Sequence, residues 1–227
     1  MDSADKGSSR WIEDVGVGSW IQLGDAERGY PRVVRDLVPD HFEAYARLLH
    51  AFWLNQGRVR WGELASANGS AVAPTMRAED VIARGASQTA AGVGHYEGGL
   101  TVALAMSPED WEMVGPILQR HTKSDTVVFG AWEGRGRPAS APPDGLMSLP
   151  NRRYFLAEVP FTEWATSEVL KEMVNIAWPL DRSWFLNSDI DACASYLGGT
   201  SELVTELLAS SQLEVMPAEL DDPVWSY

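Results

Sequence analysis

The run WPLDRSWFLNSDIDACASYLGGTSELVTELLASSQLE, residues 178–214, constrains the fold more than any other stretch of the chain. Residues 183–188 bring Trp184, Phe185 and Leu186 together, an apolar cluster that suits a strand better than a short helix. Residues 189–192 supply turn chemistry, and residues 195–197 return as a second short strand. Gly198 and Gly199 free the backbone to turn, after which Thr200 or Ser201 caps a helix with Glu202 in its first turn. Leu203, Val204, Leu207 and Leu208 fall on one face of that helix, the spacing of an amphipathic helix lying on a sheet. Residues 210–212 end it. Residues 213–216 read as a closing strand at an edge, because Pro217 cannot donate to a ladder.

Elsewhere the two periodicities alternate irregularly. Residues 19–23 and 32–37 are strand candidates around a Gly/Asp/Pro-containing connection. Asp40 caps an expected helix over residues 41–54, where Phe42, Tyr45, Leu48, Leu49, Phe52 and Trp53 recur at helical spacing. A strand over 58–64, a small-residue loop over 66–75 and a short helix over 76–84 follow. Residues 85–99 form a glycine-rich loop, and residues 99–105 (GLTVALA) read as a buried strand. Ser107-Pro108-Glu109-Asp110 is the clearest helix start, with Ser107 as cap, Pro108 at the first helical position and Asp110 completing a capping box. Gly115-Pro116 should break or kink that helix. Strands are expected over 125–132 and 152–159, separated by a Gly/Pro/Ala/Arg-rich segment too long for a tight turn and expected to be mobile or folded over the surface.

No glycine-rich dinucleotide turn follows a first strand, so the pattern predicts an α+β fold: a mixed or mostly antiparallel sheet with helices packed on it. Residues 184–186 and 126–132 are expected in the same sheet, with Leu203 and Leu207 packed against it. One domain over residues 1–227 is expected. The alternative division has two sub-lobes, 1–134 and 151–227, joined by the Pro/Gly-rich loop 135–150.

Thirty-two acidic residues against 18 basic ones give a formal net charge of −14. Such a field repels phosphate backbones and anionic lipid surfaces, so neither nucleic acid nor membrane is an expected partner, whereas a basic protein is. Residues 1–10 lack the apolar core of a secretory signal, and no stretch approaches the roughly 20 apolar residues of a membrane span. Cys193 is the only cysteine, which leaves no internal disulfide and suits a cytoplasmic protein. The ten tryptophans divide between core packing and contact surface, because aromatic side chains concentrate where interfaces bind tightly.

The candidate chemistry is sparse. Asp189-Ile190-Asp191 puts two carboxylates on one face of an extended chain, roughly 7 Å apart. With Asp181 they offer a set for Mg²⁺ or Mn²⁺ and a phosphorylated substrate, against the ordinary use of aspartate in turns. Gly198-Gly199-Thr200-Ser201 at a helix start presents backbone N–H groups to an anion, or simply caps the helix; it lacks the lysine of a P-loop. His95, beside Tyr96 and Glu97, is the histidine best placed for function, and no zinc spacing occurs among the four histidines. No cofactor is implied. Cys193 becomes a nucleophile only if a histidine packs beside it, and otherwise behaves as a small buried residue.

The pattern WPLDRSWF…DID…YLGGTSELVTELL…LE resembles a C-terminal pattern in uncharacterised bacterial proteins of actinomycete type. That resemblance covers residues 178–214 and implies a shared folding unit, with no activity attached. Two functions are therefore expected from the residues. The first is a non-enzymatic binding protein, adaptor- or immunity-like, that holds a basic partner on an acidic, tryptophan-bearing surface. Trp225, beside the acidic residues 219–222, is the first candidate anchor there, with Trp184, Asp189, Asp191, Gly198, Gly199 and His95 as further candidate binding residues. The second is a metal-dependent phosphoester- or glycosyl-transfer enzyme built on Asp181, Asp189 and Asp191.

Overall fold

Strands whose two faces are both buried make up the centre of the molecule, which is why much of the chain reads as near-continuous apolar sequence. A computed structural model describes residues 9–24, 33–54, 57–85, 101–102, 106–150, 152–164, 166–167, 169 and 174–224. The strands are β1 (Arg10–Ile12), β2 (Ala44–Leu49), β3 (Phe52–Leu54), β4 (Gly57–Val59), β5 (Thr101–Val102), β6 (Thr126–Trp132), β7 (Leu146–Ser148), β8 (Arg153–Pro160), β9 (Val174–Pro179), β10 (Phe185–Asn187), β11 (Ala194–Gly199) and β12 (Val215–Ala218). The helices are α1 (Trp61–Ala67), α2 (Ala78–Gly85), α3 (Pro108–Arg120) and α4 (Ser201–Leu208).

Among the described residues, nine strands form one sheet in the order β1-β8-β6-β9-β10-β11-β2-β12, with β7 pairing β8 beside β1. Every pairing is antiparallel. A small sheet β4-β3-β5 stands beside it. The fold is α+β, strand-rich and mostly antiparallel. Strands from both sides of residues 135–150 enter the one large sheet, so the two alternative sub-lobes share it.

The sheet carries helices on both faces. Trp61 and Leu64 of α1 and Val81 of α2 pack with Leu156, Ile176, Trp178 and Phe185 on one face. Trp111, Val114 and Leu118 of α3 join Leu203, Val204 and Leu207 of α4 over Phe129, Trp184 and Leu186 on the other. Strands β6 and β10 are thus in one sheet beneath Leu203 and Leu207, as their composition predicts.

The local signals at the helix starts are realised in atoms. Ser107 Oγ accepts from the Asp110 N–H at 3.2 Å while the Asp110 carboxylate accepts from the Ser107 N–H at 3.2 Å. Thr200 Oγ1 accepts from the Leu203 N–H at 3.2 Å to open α4. Strand β12 lies at the sheet edge, where Pro217 is tolerated.

Five expectations are corrected. Residues 41–54 are not a helix: they form β2 and β3. Tyr45 and Leu49 enter one core while Ala46 and Leu48 enter the other, and a strand apolar on both faces imitates helical spacing. Of the strand expected over 32–37, residue 32 lies outside the described residues and the rest holds a 3-10 turn, Val34–Asp36; residues 19–23 are no strand either and follow another such turn, Val15–Gly18. The strand expected over 58–64 ends at Val59, and α1 takes the rest. Helix α3 runs through Gly115-Pro116 unbroken; a Cβ on Gly115 would stand 2.3 Å from Trp164 Nε1, so glycine is there to admit that ring. Of the two readings of residues 133–150, the folded one holds: Ala141 and Met147 are buried and β7 is paired to β8.

Candidate functional site

The Asp189-Ile190-Asp191 loop joins β10 to β11, and it closes on a guanidinium. Arg152 precedes β8 and meets the two oxygens of Asp189 with Nε at 2.6 Å and an Nη at 2.8 Å. The same Nη donates to Asp191 at 2.7 Å. Trp132 presents its ring face to that guanidinium, 4.8 Å from the central carbon. Asp189 also accepts from the Asp191 N–H at 2.9 Å, so the loop backbone wraps the same carboxylate. Asp189 is only 3% exposed, and a carboxylate so buried persists because it is paired. Burial works against the charged form of Arg152, but the hydrogen bonds and charge of Asp189, then Asp191, hold its pKa above the ordinary arginine value. Burial, and secondarily the Asp189 charge, pushes the neighbouring Tyr154 phenol up.

Asp181 lies apart, on the turn between β9 and β10. Its carboxylate accepts from the N–H groups of Lys123, Ser124 and Ser183. Burial opposes its charge, and those N–H groups outweigh it and hold its pKa below the ordinary carboxylate value. The three carboxylates of the metal-dependent expectation are therefore not brought together. Among the described residues, no group of three or more His, Cys, Asp or Glu is placed to hold a metal ion.

Two buried polar clusters escape sequence reasoning. His50 Nε2 sits 2.8 Å from Ser195 Oγ and 3.5 Å from Ser188 Oγ, and Ser188 Oγ also accepts from the Met106 N–H at 3.1 Å. A serine beside a histidine is the pairing of an activated nucleophile. Here both are at most 1% exposed, and the pair satisfies its own polar atoms inside the sheet. Arg47 of β2 is likewise 2% exposed. It donates to the carbonyls of Pro74 and Met76 at 2.8 and 2.9 Å, reaches Cys193 Sγ at 3.5 Å, and lies over the Trp61 ring. It ties the segment before α2 to the sheet. Burial pushes Tyr196, its cross-strand neighbour, up to about 12. The only sequence signal for either cluster is a polar residue inside an apolar run, and the run that holds Arg47 and His50 has helical spacing.

The other expected site residues separate. Trp184 is fully buried and donates from Nε1 to Thr122 Oγ1 at 2.7 Å, so it is a core residue and no contact anchor. Gly198 and Gly199 lie within β11 and make no turn: Cβ atoms there would stand 2.5 Å from the Phe42 ring and 2.7 Å from Leu203. The N–H of Ser201 that an anion would need is taken by the Glu43 carboxylate at 3.1 Å. His95 and Trp225 lie outside the described residues.

The exterior holds what the interior does not. Trp53 is the large aromatic side chain most open to solvent among the described residues, at 43%, with Leu180 and Leu208 also exposed. Between α3 and α4 runs an open groove of about 780 Å³. Met113, Pro116 and Ile117 of α3 give it apolar surface, Glu112, Arg120 and Glu206 give it charge, and residues 209–212 close its end. Arg120 Nε donates to Glu206 at 2.9 Å, and His121 Nε2 lies 2.7 Å from the other Glu206 oxygen. The Arg120 hydrogen bond, then that of His121, holds the Glu206 pKa below the ordinary glutamate value.

Compared with protein-family models, curated proteins and solved structures, the chain matches none. No helix among the described residues is long and apolar enough to cross a membrane.

Proposed function

We propose that the chain is a non-enzymatic binding protein, adaptor- or immunity-like and cytoplasmic, that holds a basic protein partner on an acidic surface. The observation that carries this reading is the charge of the outer helical layer. On their outer faces helices α3 and α4 bear Glu109, Glu112, Glu202 and Glu206 against one basic residue, Arg120, in a chain of net charge −14, while Asp110 of α3 is buried and paired with Arg58. Of the described groups with the chemistry for catalysis, His50 and Ser195 are buried against one another and Asp189 is buried against Arg152, which also engages the part-exposed Asp191.

Charge of this kind acts on encounter. Association with the partner captured from the native host should slow by about tenfold or more as salt rises from about 0.05 to 0.5 M, because the screening length falls from above 10 Å to below 5 Å. Dissociation should change little, since it is set by short-range contacts. A captured partner that is itself acidic, or an association rate indifferent to salt, refutes the reading.

A further inference from the structure

We infer that the groove between α3 and α4 is the docking site for an arginine- or lysine-bearing segment of a partner protein. This rests on the reading of the chain as a binder of basic proteins, and it specifies where the cation goes.

Three features of the groove call for a donor with an aliphatic stem. Glu112 is exposed and makes no ion pair among the described residues, whereas Arg120, the cation that lines the same groove, is paired with Glu206 on the opposite wall. Pro116 lies four residues after Glu112 in an unbroken helix and has no N–H to give back to the Glu112 carbonyl, so that oxygen is left without its helical donor. The far end of the groove is the C-terminus of α4, the negative pole of the helix, where the Thr205 and Leu207 carbonyls already accept from the Ala209 and Ser210 N–H groups and the pole itself favours a cation.

That end already holds one cation. Arg60 donates from Nη1 to the Ser211 carbonyl at 3.1 Å and from Nη2 to the Gln212 carbonyl at 2.5 Å. The same segment therefore already binds a guanidinium, from a residue that does not line the groove. The floor of Met113, Pro116 and Ile117 suits the methylene stem of an arginine or lysine, whose head then reaches Glu112 and the α4 terminus. An acidic or purely apolar segment would leave those acceptors desolvated without donors.

The probe is a short amidated peptide of arginine, leucine and alanine, with a twin carrying glutamate at each arginine. Amide NMR titration reads where each binds. The arginine peptide should shift Met113, Ile117 and residues 209–212, and the glutamate twin should not. Glu112→Lys should weaken the arginine peptide about tenfold, the scale of losing one close charge partner. Ala209→Trp should weaken it by filling the groove at constant charge, since Ala209 is exposed with helical backbone angles. Glu219→Lys makes the same change in net charge at an exposed position outside the groove and should stay within about twofold of wild type. If Glu112→Lys and Glu219→Lys weaken binding equally, or the shifts fall elsewhere, the groove assignment is wrong while the basic-partner reading stands. If the arginine peptide binds no better than its glutamate twin, both fall.

Discussion

Leu207 and Leu208 are consecutive residues of α4 with opposite fates, and that makes them a sharp test of how the helix sits on the sheet. Leu207 is fully buried among Leu203, Leu213 and the strands below, whereas Leu208 is 40% exposed. Leu207→Ala removes three carbons from a closed environment, about 2.4 kcal/mol at roughly 0.8 kcal/mol per methylene. The vacated space adds a cavity cost, and a residual void of about 60 Å³ contributes roughly 1.5 kcal/mol. The sum, about 4 kcal/mol, corresponds to a fall in Tm of roughly 8–16 °C for a chain of this size. Leu208→Ala removes the same atoms from a site already in part in water and should cost less than about 1 kcal/mol. Urea unfolding of both variants, followed by far-UV dichroism, reads the difference at unchanged m-value. Equal midpoints for the two variants, or a Leu207→Ala shift below about 1 kcal/mol, would mean that α4 does not present this face to the sheet.

Arg152→Met should be costly, about 3–5 kcal/mol by urea unfolding, because it strands the buried Asp189 carboxylate without its cation. Adding Asp189→Asn should recover part of that loss, and strictly additive costs would show that the two side chains do not act as a pair. Stability should also fall on the alkaline side. Tyr196 is held protonated up to about 12 in the fold, against about 10 in an unfolded chain, so its contribution is complete below pH ~10 and is lost as pH climbs through 12. Tyr154, also raised by burial, acts in the same direction. Thermal midpoints at about pH 9 and 11 should diverge for wild type and converge in part for Tyr196→Phe; an identical pH slope in the variant would remove Tyr196 from the account.

Elements whose signal is local were legible in the sequence. Ser107-Pro108 and Thr200 each begin a helix because a side chain oxygen meets a nearby N–H, and that geometry needs no distant residue. The apolar run of β6 declares itself by composition alone. What failed depends on partners remote in sequence. Strand β2 looks helical because both of its faces are covered, one by α1 and the other by α4. Gly198 is required by the Phe42 and Tyr45 rings, which lie far earlier in the chain, and Gly115 by Trp164. Neither glycine announces that role locally, and the periodicity around each is silent about it.

The candidate site shows the same division in electrostatic form. Asp189 and Asp191 have the spacing of a metal loop, and only the position of Arg152 at the head of β8 decides that they hold a guanidinium. Other arginines are likewise committed by the fold: Arg47 to the carbonyls of Pro74 and Met76, Arg58 to Asp110, Arg60 to the end of α4, and Arg137 to the Ala141 carbonyl. Where such an arginine goes to a carbonyl, it keeps its charge but forms no ion pair with a carboxylate. Exposed carboxylates such as Glu112, which makes no ion pair among the described residues, are then left to face solvent in a chain of 32 acidic and 18 basic residues. An incoming arginine at Glu112 displaces water alone, whereas at Asp189 it would have to displace Arg152 from a bidentate, buried pair. The energetic preference for the outer site follows from that difference, and it is why the exposed carboxylates of the helical layer, and not the Asp-x-Asp loop, are where a basic partner should be sought.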